Sequence, residues 1–347
     1  MDRLTPVDPD DDALVDAWHA VYLRSQRHDS PPEAVTAWTL PEMRARLQQG
    51  GRRVLTQAWV GAEEGAGGEG RVVATGLLVV PLLDNLRSAQ VYVDVDPDAR
   101  HRGHGRALAQ AMLAAAAERG RTVVSTETGW PVDAPMDGAG EAGPGLARSL
   151  GFSLGITEVL RVLDAPVPDQ RLDALAAEAA PHHTAYTLRD FVGPVPDDLV
   201  EQWAALTATL TTEAPMGTMT LEAEAAEVAL VREDEELMVR QGRVRYATVA
   251  LSADGVLAGY TELVTTVHEP GLAYQWGTLV ARAHRGHRLG VALKVANQRL
   301  IQRHDATHGG IRAVRTWNAD SNAPMVAVNE ALGFRPVRRF GGFERTT

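Results

Sequence analysis

The feature that most constrains the fold of this chain is an internal repeat. Residues 90–108 and residues 275–293 share an unusual pattern at a fixed separation. Five pairs of identical residues differ by 185 positions: Gln90 and Gln275, Val95 and Val280, Arg100 and Arg285, Gly105 and Gly290, and Leu108 and Leu293. A repeat of this length predicts two copies of one domain. The length of 347 residues agrees, because a single core rarely grows beyond about 250–300 residues.

Both copies present the same succession of elements. The repeated segment begins with apolar and β-branched residues, passes a turn rich in Gly, Arg and His, and continues with apolar residues on one helical face. Apolar runs predict further strands at residues 54–60, 72–80 and 122–126 in the first copy and at residues 244–251, 256–267 and 311–317 in the second. Ser252–Gly255 is a hairpin signal, and the glycine-rich stretch Gly61–Gly70 is its longer counterpart.

Each copy ends in Leu-Gly-Phe, at residues 150–152 and 332–334. The order of elements predicts an α+β fold of two tandem domains, each a mixed, mostly antiparallel sheet flanked by helices. An Ala-Pro-Val-Pro sequence followed by a Leu/Ala-rich helix marks the boundary. We therefore expect an N-terminal domain at residues 1–165, a linker helix at residues 166–184 and a C-terminal domain at residues 185–347.

Composition narrows the class of protein. A net charge of -11 weighs against a nucleic-acid partner, because such binding needs clustered Lys and Arg. No apolar run approaches the ~18 residues of a membrane span, and the acidic N terminus lacks the pattern of a secretory signal. We expect a cytoplasmic protein without a membrane partner. The chain has no cysteine, and the histidine pairs in the two turns have no third ligand nearby, so we expect no metal site.

A strand that leads through a glycine turn into a helix predicts an anion site, because backbone N–H groups and the positive helix end point the same way. The dinucleotide fingerprint fits poorly, since Leu108 stands where its third glycine belongs. The phosphate loop of nucleotide hydrolases does not fit either, because neither copy has the Gly-Lys-Ser/Thr sequence of that loop.

The segment Arg100-His-Arg-Gly103-His-Gly105 resembles the R/Q-x-x-G-x-G/A pyrophosphate loop of the GNAT superfamily of acyl-CoA-dependent N-acyltransferases. The second copy is similar but has Arg288 where the family has its first glycine. The resemblance implies acetyl-CoA as co-substrate. It places the pyrophosphate at Arg100, Arg102, Gly103, His104, Gly105 and Arg106 in the first copy, and at Arg285, Gly286, His287, Arg288, Leu289 and Gly290 in the second.

The flanks extend the resemblance. It implies that the pantetheine arm pairs with the fourth strand, at Val93 and Val95 in the first copy and at Leu279 and Val280 in the second. Asn318, Asn322 and Asn329 resemble the asparagine-bearing cofactor segment of many members, and the first copy lacks all three. Asn322 is also a good candidate for a helix cap.

Transfer to an amine needs a base, because an ammonium must lose a proton before it can attack. Aligning Ala74-Thr-Gly76 with Leu257-Ala-Gly259 places Glu262 opposite Val79, so only the second copy has a carboxylate there. Two other roles fit Glu262 as well as that of a base: a residue that orients the substrate, or an exposed residue of the strand. The resemblance also implies that an N–H group near Val280, where the fourth strand bulges, stabilises the oxyanion.

The acid for the departing thiolate is the other open role. The tyrosine that many members use is replaced by Ala147 and Asn329, and Tyr260 is an alternative donor on the face of Glu262. We therefore expect the second domain to be catalytic, while the intact loop of the first keeps the opposite assignment open.

The predicted activity is transfer of an acetyl group from acetyl-CoA to a primary amine, with a small molecule as the partner. A non-catalytic acyl-CoA sensor and an interaction scaffold are the alternatives. The sequence fits a monomer or a homodimer equally well.

Overall fold

A computed structural model of the chain describes residues 3–64, 70–305 and 310–346. It divides into two compact units. Unit 1 contains Met1–Glu158, Met216–Glu222 and Val337–Thr347, and unit 2 contains Val159–Pro215 and Ala223–Pro336. The domain limits predicted at residues 165 and 185 divide the sequence between the two copies of the repeat, and they stay a prediction.

Unit 1 holds the elements of the first copy. Its helices are α1 (Asp12–Asp29), α2 (Leu40–Leu47), α3 (His104–Glu118) and α4 (Ala142–Ser149). Its strands are β1 (Arg3–Pro6), β2 (Val54–Glu64), β3 (Gly70–Pro81), β4 (Ser88–Val95), β5 (Val123–Pro131) and the first half of β6 (Ser153–Asp164). Part of the connector predicted at Gly61–Gly70, residues 65–69, lies outside the described residues.

Unit 2 repeats this order. Its helices are α5 (Asp169–Ala179), α6 (Val200–Thr207), α7 (Leu210–Glu213), α8 (Val228–Arg240), α9 (Leu289–Asp305) and α10 (Ala323–Leu332). Its strands are β7 (Tyr186–Val192), β8 (Arg243–Ser252), β9 (Leu257–Thr266), β10 (Leu272–Val280) and β11 (Ala313–Ala319). The predicted hairpin joins β8 to β9, where Gly255 supplies the left-handed residue at φ 82°.

The sheets have the predicted mixed character. In unit 1, β1 to β4 pair antiparallel in chain order and β4 pairs parallel with β5. In unit 2, β7 to β10 pair antiparallel in chain order and β10 pairs parallel with β11. The α+β fold predicted from the repeat is confirmed.

The last strand of unit 1 comes from the end of the chain. This strand, β12 (Arg335–Thr346), pairs antiparallel with β5 from Arg338 opposite Pro131 to Thr346 opposite Val123. In unit 2 the second half of β6 lies beside β11. The strand after each Leu-Gly-Phe sequence therefore helps to complete the sheet of the other unit.

One parallel pair in each unit separates soon after it begins. Strands β4 and β5 pair only from Ser88 to Gln90, although β4 continues to Val95. Strands β10 and β11 pair only from Leu272 to Tyr274, although β10 continues to Val280. Beyond these points the two strands diverge, and we call each opening the splay of its unit. The splay frees backbone N–H and C=O groups of β4 and β10 to pair with an extended ligand.

A long helix packs against each sheet and carries the repeated loop at its start. Leu108 and Met112 of α3 are fully buried in the core of unit 1. Leu293 and Ile301 of α9 are fully buried in unit 2. The segment interpreted as a linker is helix α5, whose Leu172 belongs to the same core as Ile301. These cores fix the start of each helix at the end of a strand.

Candidate active site

The two repeated loops have the same backbone conformation. In the first, His101 and Gly103 are left-handed, with φ of 62° and 86°. In the second, the residues 185 positions later, Gly286 and Arg288, are left-handed with φ of 86° and 56°. Each loop therefore has one glycine and one larger residue in this conformation, in opposite order. The loop of the second copy keeps the geometry of the first even though Arg288 replaces a glycine.

The loop of unit 1 leaves the start of α3 without a side-chain cap. Gly103 is the N-cap residue and no side chain accepts from the first turn. A Cβ on Gly103 would meet nothing within 4 Å, whereas a Cβ on Gly105 would lie 3.2 Å from Val95 Cγ2. The loop is thus open outward and tight against β4. Uncapped N–H groups and the positive helix end suit a pyrophosphate.

The first arginine of each loop is bound inside its own unit. Arg100 donates from Nε to the Val95 carbonyl at 3.3 Å and from both terminal nitrogens to the Asp29 carboxylate. Arg285 repeats this arrangement, donating to the Val280 carbonyl at 3.1 Å and to Glu213 at 2.8 Å. The guanidinium groups tie the loop to the strand end, so the backbone N–H groups are the part of the loop that is suited to an anion.

The other loop side chains are also engaged. Arg102 donates to the Asp98 carbonyl, Arg106 donates to Ser149, and His104 Nε2 lies 2.8 Å from Glu63 Oε1. In unit 2, Arg288 pairs with Glu178, and His287 Nδ1 lies 3.2 Å from the His182 carbonyl oxygen. Leu289 is buried, and a Cβ on Gly290 would meet nothing within 4 Å. Open space therefore lies outside both loops.

A group of polar residues lines unit 1 beside its splay. Tyr92 and Asp94 alternate on β4, with Gln90 two residues earlier, and Glu127 lies on β5 two residues beyond the last paired residue, Ser125. Glu158 ends the part of β6 that belongs to unit 1. We call Tyr92, Asp94, Glu127 and Glu158 the acidic recess. The sequence prediction missed these four residues.

The protein surroundings of the acidic recess penalise charge. Desolvation by the surrounding protein and, to a smaller extent, the Glu158 carboxylate together raise the pKa of Glu127 to about 7. Burial also raises the pKa of Asp94 to about 6, although Gln26 donates to its carboxylate at 2.9 Å. Glu127 is nonetheless exposed to solvent, so its carboxylate is accessible to a ligand. Within the described residues, Glu127 and Glu158 make no ion pair with Arg, Lys or His.

Tyr92 stands across the splay from Glu127. Burial and the charge of Glu127 raise the pKa of Tyr92 above its usual range, so its hydroxyl stays protonated and donates to Gln90 Oε1 at 3.2 Å. The recess thus combines a carboxylate that changes charge near neutral pH with a neutral hydroxyl donor.

Unit 2 has no ionisable side chains at the equivalent positions of the splay. Counting 185 residues from Tyr92 and Asp94 gives Gly277 and Leu279. The pairs Ala89–Val124 and Tyr274–Arg315 are equivalent, because Ala89 and Tyr274 are 185 residues apart, and three residues further on Asn318 stands where unit 1 has Glu127. Leu279 is buried. The two units therefore share a loop and a splay, and differ in the residues that face an acceptor.

Glu262, the predicted base, is part of a buried ion-pair network. Arg245 donates to Glu262 Oε2 at 2.9 Å and to Glu235 Oε1 at 3.1 Å. The strand register places Glu262 level with Leu77 or Leu78 of β3, which corrects the alignment with Val79. Because Glu262 is 8 % exposed and bound to a guanidinium, it is poorly placed to take a proton from a substrate.

Tyr260, the alternative acid, is 1 % exposed and packs 4.7 Å from the ring of Trp203. A Cβ on Gly277 would lie 2.4 Å from its hydroxyl oxygen, so its ring occupies the space beside β10. Burial raises the pKa of Tyr260 above its usual range. The structure favours a packing role for this residue.

The three asparagines of unit 2 are held by protein groups. Asn322 caps α10 by accepting from the Met325 N–H group at 3.3 Å. Asn329 is fully buried, donates to Asn318 Oδ1 and accepts from Lys294 Nζ at 2.8 Å. Lys294 is a further residue that sequence reasoning missed.

The bulge of β10 lies earlier than expected. Its register against β9 shifts between Gln275 and Thr278, so the irregular residues are Trp276 and Gly277 and not Val280. Strand β4 pairs with β3 in one register throughout, from Ala74 opposite Val95 to Val79 opposite Gln90. Val93 and Val280 lie on strand segments whose other edge opens into the splay.

Comparison with known proteins agrees with this geometry. Residues 17–131 match the family model of the acetyltransferase (GNAT) family. A solved tandem GNAT protein from the clavulanic acid biosynthesis pathway is similar over 99 % of this chain and 98 % of its own, with 29 % identity and a TM-score of 0.77. The chain is a tandem GNAT-fold protein. No curated protein matches it.

A second solved structure supports the tandem GNAT fold. A GCN5-related N-acetyltransferase from Sphaerobacter thermophilus is similar over 100 % of this chain and 96 % of its own, with 15 % identity and a TM-score of 0.63. The family match over residues 17–131 and the tandem GNAT fold support an acyl-transfer function. No helix within the described residues has the length and apolar character needed to cross a membrane.

Proposed function

We propose that this GNAT protein transfers an acetyl group from acetyl-CoA to the primary amine of a small cationic molecule, and that unit 1 performs the transfer. The observation that carries the proposal is the acidic recess, which lies beside a splay and an uncapped helix start in the same unit. A cationic amine is attracted to carboxylates, and its acetylation requires a base at the same place.

The residues of unit 1 fit acetyl-CoA. The N–H groups at the start of α3 suit the pyrophosphate, and the open edge of β4 suits the amide groups of the pantetheine arm. The same features in unit 2 support a second acetyl-CoA site. Acetyl-CoA supplies a thioester whose carbonyl carbon accepts the amine.

Glu127 is the proposed base. Its pKa of about 7 lies near neutral pH, where the product of the deprotonated fraction and the basicity is greatest for such a base. Asp94, held by Gln26, orients the ammonium group. Tyr92 stays protonated and supports the reacting groups as a hydrogen-bond donor. This assignment replaces Glu262 and Tyr260, which are enclosed in unit 2.

The test is the pH dependence of thiol release with acetyl-CoA and a panel of small amines and diamines. Glu127→Gln is expected to lower kcat/KM by about 100-fold or more and to remove the limb of the profile near pH 7. Glu118→Gln, at an exposed position on α3, is the matched control and should behave as the wild type. An unchanged profile for Glu127→Gln would exclude Glu127 as the base.

A non-catalytic acyl-CoA sensor is the second candidate. Ala147 and Asn329, at the positions of the family tyrosine, favour it. Acetyl-CoA binding without thiol release from any amine of the panel would support the sensor and contradict the enzyme.

A further inference from the structure

Lys294 is the single lysine of the chain. The other 33 of its 34 Lys and Arg residues are arginines. It is also one of the largest fully buried side chains, 1 % exposed on α9. An arginine cannot lose its charge in a protein, whereas a buried lysine can become a neutral amine. The chain thus has its one lysine at a position where an uncharged amine is the favourable form.

The surroundings of Lys294 leave its amine largely free. Nζ donates to Asn329 Oδ1 at 2.8 Å and lies 5.7 Å from the ring centre of Phe334. Within the described residues no carboxylate pairs with it. A buried ammonium has three N–H donors, and one acceptor is too few to satisfy them. Burial accordingly lowers the pKa of Lys294 to about 7, so much of the amine is unprotonated and nucleophilic at neutral pH.

Lys294 is close to the splay of unit 2. Asn329, its partner, donates to Asn318, and Asn318 lies on β11 three residues beyond Arg315, where pairing with β10 ends. The loop that begins α9 is five residues before Lys294 on the same helix. The equivalent position in unit 1 is Ala109, and Ala147 replaces Asn329. Only the second unit therefore has an amine between the loop helix and its splay.

The side chains of unit 2 that the sequence predicts to be catalytic are packed or ion-paired inside the protein. Tyr260 and Trp203 are packed together, and Arg245, Glu235 and Glu262 form a buried network. Gly277, Leu279 and Asn318 stand at the positions of Tyr92, Asp94 and Glu127, so these positions offer an external amine no carboxylate. An internal amine near the splay needs no access from outside.

We propose that unit 2 acetylates its own Lys294 from acetyl-CoA. Nζ attacks the thioester carbonyl carbon, an amide C–N bond forms and the C–S bond breaks. The proton that Nζ loses goes to the departing CoA thiolate or to solvent. The inference rests on the proposed binding of acetyl-CoA by the loop of unit 2, and not on amine transfer by unit 1.

The product fits this position better than an ammonium does. Acetylation replaces a buried charge by a neutral amide, which removes the desolvation cost. Gln298 lies one turn further along α9, is 1 % exposed and has no hydrogen-bond partner for either side-chain atom. Because residues four apart share a helix face, its amide is available to the acetyl-lysine group.

The test incubates the full-length chain with acetyl-CoA and follows the intact mass and the acetylated peptide. Because the chain has one lysine, the only competing amine is its N terminus. We expect one acetyl group per chain on Lys294, at a rate independent of protein concentration and rising across pH 6 to 8. The chain unfolded in urea should be labelled at Lys294 at least 10-fold more slowly at neutral pH, because its amine then has an ordinary pKa.

Two variants separate enzyme-bound transfer from simple reactivity. Gly290→Asp places a carboxylate against the pyrophosphate and should reduce Lys294 labelling at least 10-fold, whereas Val239→Asp adds the same charge at an exposed position on α8 and should retain it. Equal labelling in both variants overturns the proposal. A second outcome also overturns the proposal. In the Gly103→Asp chain, whose unit 1 is blocked, calorimetry would show acetyl-CoA bound to unit 2 while Lys294 stays unlabelled.

Thiol release with external amines is recorded in the same samples. Amine turnover without Lys294 labelling would refute the inference and leave the proposed function in place. Labelling of Lys294 without amine turnover would refute the proposed function and leave the inference about Lys294 in place.

Discussion

Arg288 has the left-handed backbone conformation that Gly103 has in the other unit, with φ of 56° against 86°. A side chain in this conformation costs roughly 1–2 kcal/mol relative to the right-handed region. The loop geometry is therefore kept against a local cost, in agreement with the acetyl-CoA site proposed for unit 2.

Arg288→Gly is expected to raise the free energy of unfolding of unit 2 by about 1 kcal/mol, less the contribution of the exposed Arg288–Glu178 ion pair. It should also tighten acetyl-CoA binding to unit 2, because a side chain leaves the loop. Calorimetric titration and denaturant unfolding measure the two effects. Arg282→Gly, which removes an exposed arginine outside the left-handed positions, is the control; a weaker acetyl-CoA affinity in Arg288→Gly would show that the guanidinium is a ligand.

Glu262→Gln is expected to destabilise unit 2 by about 3 kcal/mol, because it removes one carboxylate from a buried guanidinium. Amine turnover per folded molecule should not change, since the proposed base lies in unit 1. Glu236→Gln, at an exposed position on α8, is the matched control and should have little effect on unfolding. A loss of turnover without a loss of stability would return the catalytic role to Glu262.

Lys294 makes the stability of unit 2 depend on pH. Its pKa falls from 10.5 in the unfolded chain to about 7 in the folded one, so between these values the unfolded chain holds a proton that the folded chain has released. Raising the pH through this window favours the folded state, by up to ~1.4 kcal/mol per pH unit. Lys294→Met should lack this slope and should be the more stable protein at pH 6. Parallel slopes for the two proteins in urea unfolding at pH 6 to 9 would contradict the buried neutral amine.

The repeat and the loop could be read from the sequence because their residues are contiguous. The constant separation of Gln90 from Gln275 and of Gly105 from Gly290 already implied a duplicated fold. The acidic recess could not be read in this way, since Asp94, Glu127 and Glu158 lie on three strands that are far apart in the sequence. A signal was present nonetheless: Tyr92 and Asp94 alternate on the fourth strand, where the second copy has Gly277 and Leu279.

The assignment of the catalytic unit depended on packing, which the sequence does not encode locally. Glu262 was conspicuous as a carboxylate without a counterpart in the first copy. Its role became clear only from Arg245 on the neighbouring strand, seventeen residues earlier in the chain. The pairing of β12 with β5 could not be predicted either, because periodicity predicts a strand but not the strand with which it pairs.

The most direct test of the account compares Gly103→Asp with Gly290→Asp in steady-state turnover of acetyl-CoA with an amine. Aspartate tolerates the left-handed conformation of Gly103 and favours a helix start, so each variant should fold while its charge repels pyrophosphate; the two asparagine variants control for shape. We predict that Gly103→Asp lowers kcat/KM for acetyl-CoA at least 100-fold and that Gly290→Asp leaves it within about 2-fold of the wild type. Loss of turnover in Gly290→Asp alone would contradict the assignment of amine transfer to unit 1.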